Sequence, residues 1–287
     1  MRYSLILAFA TALIVSLLGE SVYAQGVGNL TITPTRLVFE GRTRSNVITL
    51  VNNGSETATY RVSVVEMRMR EDGSFERIGE DMDQSAVRSA KGMFRYAPRQ
   101  IDLQPGQTQS IRILLRKPPE LPEGEYRSHM LLQAIPKEGA GRSVESLGGS
   151  GDLSINLTII PGVTLPIIVR HGDLSATATL SDFSLAPAEV GKSNPALSFR
   201  INRNGTRSVY GDLTATYYPA ARNNGVVVSQ IKLLAVYVPN AARTVVMQLI
   251  LPEGTELSGG KIEVKFTTPP SEGAIEMTAG EFSVPKK

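Results

Sequence analysis

Catalysis or metal binding needs imidazoles, thiolates or paired carboxylates held close together, and this chain offers few of them. Its two histidines, His129 and His171, lack any ligand spacing, and with no cysteine both thiolate sites and disulfides are excluded. The stretch Gly148-Gly149-Ser150-Gly151-Asp152 approaches a nucleophile elbow, but it lacks the final glycine and sits in a loop. Glu80, Asp81 and Asp83 cluster without the spacing or glycine turn of a calcium loop, which fits a solvated acidic loop. No glycine-rich phosphate cradle leads into a helix. The expectation is a non-enzyme with no catalytic residue, metal or cofactor.

What the spacing does offer is alternation. Leu153, Ile155, Leu157 and Ile159 recur with period two, which places them on one face of a strand. They follow a polar, Gly-rich loop (136–151) and lead into an almost continuous apolar run ending at Arg170. A strand over about 152–170 exceeds the usual length in globular proteins. Ile160, Val163, Leu165, Ile167 and Val169 can serve the chain's own core, so the four earlier residues either pack in that same core or are left for a partner. Pro161-Gly162 marks a point where a bulge could switch the parity.

The elements around this strand are strands too. The first half carries "LTITPTRLVFE", "SNVITLVNN", "ATYRVSVVEMRM", "RYAPRQIDL", "QSIRILLR" and "EYRSHMLLQAI", several of them separated by turn pairs such as Asn53-Gly54 and Pro105-Gly106. Seven more follow: "LSATATLSDFSL", "ALSFRINRNG", "SVYGDLTATYYP", "VVVSQIKLLAVYVP", "RTVVMQLILP", "KIEVKFTTPP" and "AIEMTAGEFSVP". This pattern predicts an all-β protein of two tandem immunoglobulin-like β-sandwich domains, joined by a short hinge at Arg170–Leu174. Tyr126, after Pro122 and Gly124, is a candidate tyrosine corner, and Tyr217 and Tyr218 are expected in core or rim.

The chain opens with Arg2, an apolar run from Leu5 to Leu18 and a small-residue cleavage site at Val22-Tyr23-Ala24, the pattern of a secretory signal peptide. The expected division is a cleaved signal over 1–24, a first domain over 25–171 and a second over 172–287. An exported mature chain without membrane insertion is expected. A net charge of +3, with no basic cluster interleaved with aromatics, argues against nucleic acid as a partner.

Four blocks of the first half then acquire a common meaning: "ITPTRLVFEG", "ITLVNNGSETATYRVSVVE", "YAPRQIDLQPGQTQSIRI" and "EYRSHMLLQAIP". In order and spacing they resemble the periplasmic pilus chaperones of the chaperone–usher pathway, the PapD-like proteins. The long strand's ending, "LPIIVRHG", is also similar. The resemblance covers about 25–172; the second domain matches in class and position only. It implies a chaperone that binds, folds and caps pilus or fimbrial subunits by lending a strand, then delivers them to an outer-membrane usher. Leu153, Ile155, Leu157 and Ile159 would be the donated side chains. Arg36 matches the family's first-strand arginine, which grips the subunit's C-terminal carboxylate. The family's second anchor, a lysine on the long strand, is missing, because Pro166 and apolar residues stand there. Arg170 could take its place, or could instead be a structural arginine between domains. An exported two-domain structural or adhesion protein is the alternative, whereas a sugar-binding module is disfavoured by the absence of tryptophan.

Overall fold

A computed structural model describes residues 29–79, 87–136, 142–143, 156–157, 160–187, 194–220 and 224–286. The first sandwich is built from β1 (Leu30–Thr33), β2 (Leu37–Phe39), β3 (Ser45–Asn52), β4 (Ala58–Met69), β5 (Phe75–Ile78), β6 (Phe94–Ala97), β7 (Gln100–Leu103), β8 (Thr108–Leu115), β9 (Gly124–Ile135) and β12 (Gly162–His171). One sheet runs β1-β3-β8-β6. The other runs β2-β12-β9-β4-β5, with β7 also on β4. Between β9 and β12, β10 (Arg142–Ser143) and β11 (Asn156–Leu157) form a separate two-stranded pair.

Alternation explains this core. In β3 and β8 every second residue is buried, so Ile48, Leu50, Ile111 and Ile113 face Met130 and Leu132 of β9 and Leu165, Ile167 and Val169 of β12 in one cluster. Two predicted strands are each split by a proline. "LTITPTRLVFE" breaks around Pro34 into β1 and β2, and "RYAPRQIDL" breaks around Pro98 into β6 and β7. In both cases the halves lie in different sheets. Proline cannot donate to a ladder, which makes it a natural point to change sheets. Strand β5 was not expected from its short, half-charged sequence.

The second sandwich contains all seven expected strands: β13 (Ala176–Ala186), β14 (Ala196–Gly205), β15 (Val209–Tyr218), β16 (Val226–Val236), β17 (Ala242–Gln248), β18 (Lys261–Thr267) and β19 (Glu276–Ser283). They form sheets β13-β14-β17 and β16-β15-β18-β19 around Leu197, Phe199, Leu213, Phe266 and Tyr217. Tyr217 is fully buried, and its hydroxyl donates to the Gly259 carbonyl at 2.9 Å, which removes the cost of hiding it. Tyr218 is half-buried at the rim, its hydroxyl 3.4 Å from Glu263.

The joint between sandwiches is packed rather than loose. Met69 and Ile168 of the first sandwich share a buried cluster with Ala235 and Tyr237 of the second. The Arg127 guanidinium lies 4.4 Å from the Tyr237 ring centre and donates to the Val238 and Met67 carbonyls. The Thr244 amide donates to the Glu71 carbonyl at 2.7 Å, and the Asn240 side chain to that of Met69 at 3.0 Å. The expected hinge is thus only the place where the chain crosses a bonded interface.

Candidate functional site

Strand β12 holds two kinds of edge. Along its whole length, Gly162 to His171, it pairs antiparallel with β9. On the other side β2 pairs with it, in parallel, only at Ile167–Val169. Among the described residues no strand covers that side of Gly162–Pro166, so its backbone groups form an open edge. The side chains change character at the same point. Leu165, Ile167, Ile168 and Val169 are all but inaccessible, whereas Ile160 is 46% and Val163 42% exposed. This corrects the expectation that Ile160 and Val163 serve the protein's own core. By alternation Val163 lies on the side of Leu165 and Ile167, but without their cover.

The predicted donor residues are only partly visible. Leu153, Ile155 and Ile159 lie outside the described residues. Leu157 is placed by its backbone in β11, paired with Arg142 of β10. The described parts of the expected long strand therefore belong to two different sheets rather than one. Pro161 stands between them, and its carbonyl accepts from the Ala134 amide at 2.9 Å, the last tie before β12 begins. Glu80, Asp81 and Asp83 also lie outside the described residues. Among the described residues no group of three or more His, Asp or Glu could hold a metal ion, and no helix is long and apolar enough to cross a membrane.

Arg36 stands where the open edge stops. Leu37 pairs with Ile167, so Arg36, one residue earlier, is level with Pro166. Its guanidinium carbon lies 4.1 Å from the Tyr210 ring centre, in the second sandwich. Its buried Nε and Nη2 donate to no well-aligned acceptor, and the guanidinium lies within interaction range of the Tyr237 hydroxyl. Buried donors without a well-aligned acceptor are costly. It lines an interdomain cleft of about 120 Å³ together with Arg170, Arg207, Tyr210 and Glu272.

Arg170 is differently placed. Its Nε donates to Glu125 at 3.1 Å and its Nη1 to Glu40 at 3.0 Å, with only 11% of the side chain exposed. Burial opposes its charge, but the Glu125 and Glu40 carboxylates outweigh burial and raise its pKa above the ordinary arginine value. Glu125 also accepts from the Ser208 amide at 3.1 Å and from the Ser208 hydroxyl. Through Glu125, Arg170 is thereby tied to Ser208 of the second domain, while it also lines the cleft. The Tyr126 hydroxyl donates to the Pro122 carbonyl at 2.8 Å, the bond of a tyrosine corner, and fixes the chain just before Arg127 and His129.

His129 lies opposite Pro166 in the β9–β12 register and is 2% exposed, with no partner for either ring nitrogen. Burial, assisted by neighbouring Arg127, lowers its pKa to about 3. It is a neutral packing group, in edge contact with Phe75, and no proton shuttle at ordinary pH. Sequence reasoning missed Tyr210, Arg207 and Glu125. Their roles arise from contacts across the domain joint, which no local pattern announces.

No protein-family profile and no curated protein matches the sequence. Solved structures do match it. The YadV chaperone shares 12% identity, over 89% of this chain and 100% of its own, with a TM-score of 0.43. The Salmonella enterica complex of SafA pilin with the SafB chaperone gives 14% identity, 91% and 99% coverage, and a TM-score of 0.42. The E. coli chaperone DraB gives 15%, 91% and 98%, and 0.41. Another match is the class 5 fimbriae chaperone CfaA, at 12% identity, 90% and 100% coverage and a TM-score of 0.39. With such low identities, the two-sandwich fold stands on the strand pairing itself.

Proposed function

We propose that this protein is a periplasmic chaperone that holds pilus or fimbrial subunits by lending them a strand and passes them to an outer-membrane usher. The observation that carries the proposal is the half-open edge of β12 ending level with Arg36, which lines the cleft between the sandwiches. An incoming strand could hydrogen-bond to Gly162–Pro166 and to the residues before them, until it meets β2. If its terminal carboxylate is to reach Arg36, it must run in the same direction as β12, since its last residue lies nearest β2. Leu153, Ile155, Leu157 and Ile159 would fill the subunit's groove, and an apolar side chain contributes roughly 1.5–3 kcal/mol when fully buried. Arg36 would fix the register, which a period-two zipper alone leaves ambiguous.

The test is co-purification from periplasm of cells carrying the neighbouring secreted subunits. Wild type should bring a subunit with it. Leu157→Asp should fold normally and bring none, because it would place an unpaired carboxylate in the partner's groove. Arg36→Ala should weaken capture by about 2–5 kcal/mol, the cost of leaving a partly buried carboxylate unpaired. A wild-type protein that captures nothing, or a Leu157→Asp variant that binds as well as wild type, would refute strand donation.

A further inference from the structure

The hairpin of β4 and β5 reaches beyond the sandwich it belongs to. Its outer part, residues 70–75, contributes nothing to the core of either sandwich. It is closed within itself. The Arg70 amide donates to the Ser74 carbonyl at 2.8 Å and the Gly73 amide to the Arg70 carbonyl at 2.9 Å. The Asp72 carboxylate accepts from the Ser74 amide at 2.8 Å and from its hydroxyl at 2.6 Å, which stiffens the turn. What the hairpin offers outward goes to the second sandwich. The Glu71 carbonyl accepts from the Thr244 amide of β17 at 2.7 Å, and the Glu71 carboxylate lies 3.7 Å from the Arg200 guanidinium. The Phe75 ring centre lies 6.1 Å from that of Tyr237. The closest fit is at the turn. Gly73 has a φ of +85°, and a Cβ there would collide with the Arg243 guanidinium. That guanidinium is held in place, because its Nη1 donates to the Ala235 carbonyl at 2.8 Å and the Asp72 carboxylate attracts it.

We infer that the β4–β5 hairpin is a latch, a first-domain arm that fixes the second sandwich at one angle, with Arg243 seated on Gly73 as its catch. Its ties involve none of the residues that fasten the cleft side, namely Arg170, Glu125 and Ser208. The joint is therefore fastened at two separate places. One fastening would leave the sandwiches free to pivot about it, and relative motion is the default for two domains in a chain. The second fastening removes that freedom. With the angle fixed, Tyr210 stays over Arg36, and the open edge of β12 and the cleft form one continuous surface. The latch does not depend on what that surface binds, so it stands or falls apart from the capture reading.

The chain has no cysteine, so Ser110→Cys on β8 and Ser283→Cys on β19, both exposed, give one unique nitroxide site on each sandwich. Pulsed electron paramagnetic resonance on the whole protein then reads the distance between them. The labelled parent should give a single narrow distribution. Arg243→Ala, which removes the catch, and Gly73→Val, which fills its seat, should each broaden that distribution roughly twofold, as an unfastened joint begins to pivot. The amide NMR dispersion of both sandwiches should be kept. Combining the two changes should broaden it no further than either alone, because both release the same contact. Arg243→Ala puts no side chain at a positive φ, so it decides the matter if Gly73→Val does not fold. A distribution that stays narrow in Arg243→Ala overturns the latch. Broadening accompanied by lost amide dispersion in the first sandwich also overturns it, since the hairpin would then belong to that sandwich's own fold. A combined variant far broader than either single one would show that Arg243 and Gly73 act separately, and would overturn their pairing as catch and seat.

Discussion

The two halves of β12 share one partner strand and differ in everything else. From Ile167 to Val169 the strand is enclosed, with β9 on one side, β2 on the other and side chains in the core. From Gly162 to Pro166 it has β9 alone, and Val163 is largely in solvent. Natural proteins usually blunt such an edge with charge or cover. Here the open half carries Val163, Thr164 and Leu165 and no charged residue. What the contrast teaches is that one strand can be anchored by its second half so that its first half is held extended with one of its two edges open. An edge already ordered loses less entropy on pairing than a floppy segment would.

If that division is right, substitutions along the strand should fall in cost from its closed end to its open one. Ile167→Asp has the largest effect. Its side chain is wholly inaccessible, in the centre of the first core. An unpaired carboxylate there costs several kcal/mol, out of a total stability of about 5–15 kcal/mol for a domain. Circular dichroism should show a protein that does not fold or melts far below wild type. A well-folded Ile167→Asp would mean that the closed half is not core.

Glu125→Ala comes next. Glu125 is the shared acceptor of Arg170, at the end of β12, and of Ser208 in the second domain. Removing it leaves the Arg170 guanidinium with Glu40 alone and strips Ser208 of its acceptor. Breaking a buried pair typically costs about 3–5 kcal/mol. Urea unfolding should show this loss, and the two sandwiches should begin to melt apart. A change below about 1 kcal/mol would show that Glu125 contributes nothing beyond a surface ion pair.

At the junction of the two halves, His129 faces Pro166 across the ladder. Its folded pKa is depressed to about 3, below the usual 6.5. As pH falls below 6.5 the unfolded chain takes up a proton that the folded protein refuses. Stability is therefore complete above that pH and declines until about pH 3. At about 1.4 kcal/mol per pH unit, wild type should be less stable at pH 5 than at pH 7 by about 2 kcal/mol from this group. His129→Leu keeps the bulk and deletes the proton site, so the difference between variant and wild type should appear at pH 5 and shrink at pH 7. Parallel pH profiles for the two proteins would show that His129 is not held neutral by the fold.

Much of this architecture is legible in the residues, and the illegible part has a physical cause. Period-two alternation locates all seven second-domain strands, most clearly β14, β15 and β18, where buried residues alternate with partly exposed ones. The same rule fails at Pro34 and Pro98, where the apolar pattern continues while the chain changes sheets. It also fails at Ile160 and Val163, since a side chain's pattern cannot say whether a facing sheet reaches it. Arg36 was visible only through the family resemblance. Its environment was not visible at all, because Tyr210 and Arg207 come from the other domain. Pairs such as Glu125 with Ser208 depend on how two sandwiches dock, and docking is a property of surfaces far apart in sequence.

The smallest expected effect on folding separates the two halves most cleanly. Val163→Asp changes a residue that is 42% exposed, on the half of β12 that lacks a second partner strand. A carboxylate there remains hydrated, and surface changes of this kind usually stay within about 0.5 kcal/mol. Thermal unfolding should place the variant beside wild type, in contrast to Ile167→Asp on the same face of the same strand. Capture is a different matter. Once a partner strand lies along Gly162–Pro166 the position becomes buried, and the charge must then be desolvated without a counter-ion. The variant should therefore be stable and defective in subunit binding, and Val163→Thr, which keeps the shape without a charge, should bind nearly as well as wild type. Equal loss of folding and binding in Val163→Asp would mean that the open half belongs to the core after all. Unchanged binding would mean that the incoming strand stops before reaching β12, with the donated segment ending ahead of Pro161.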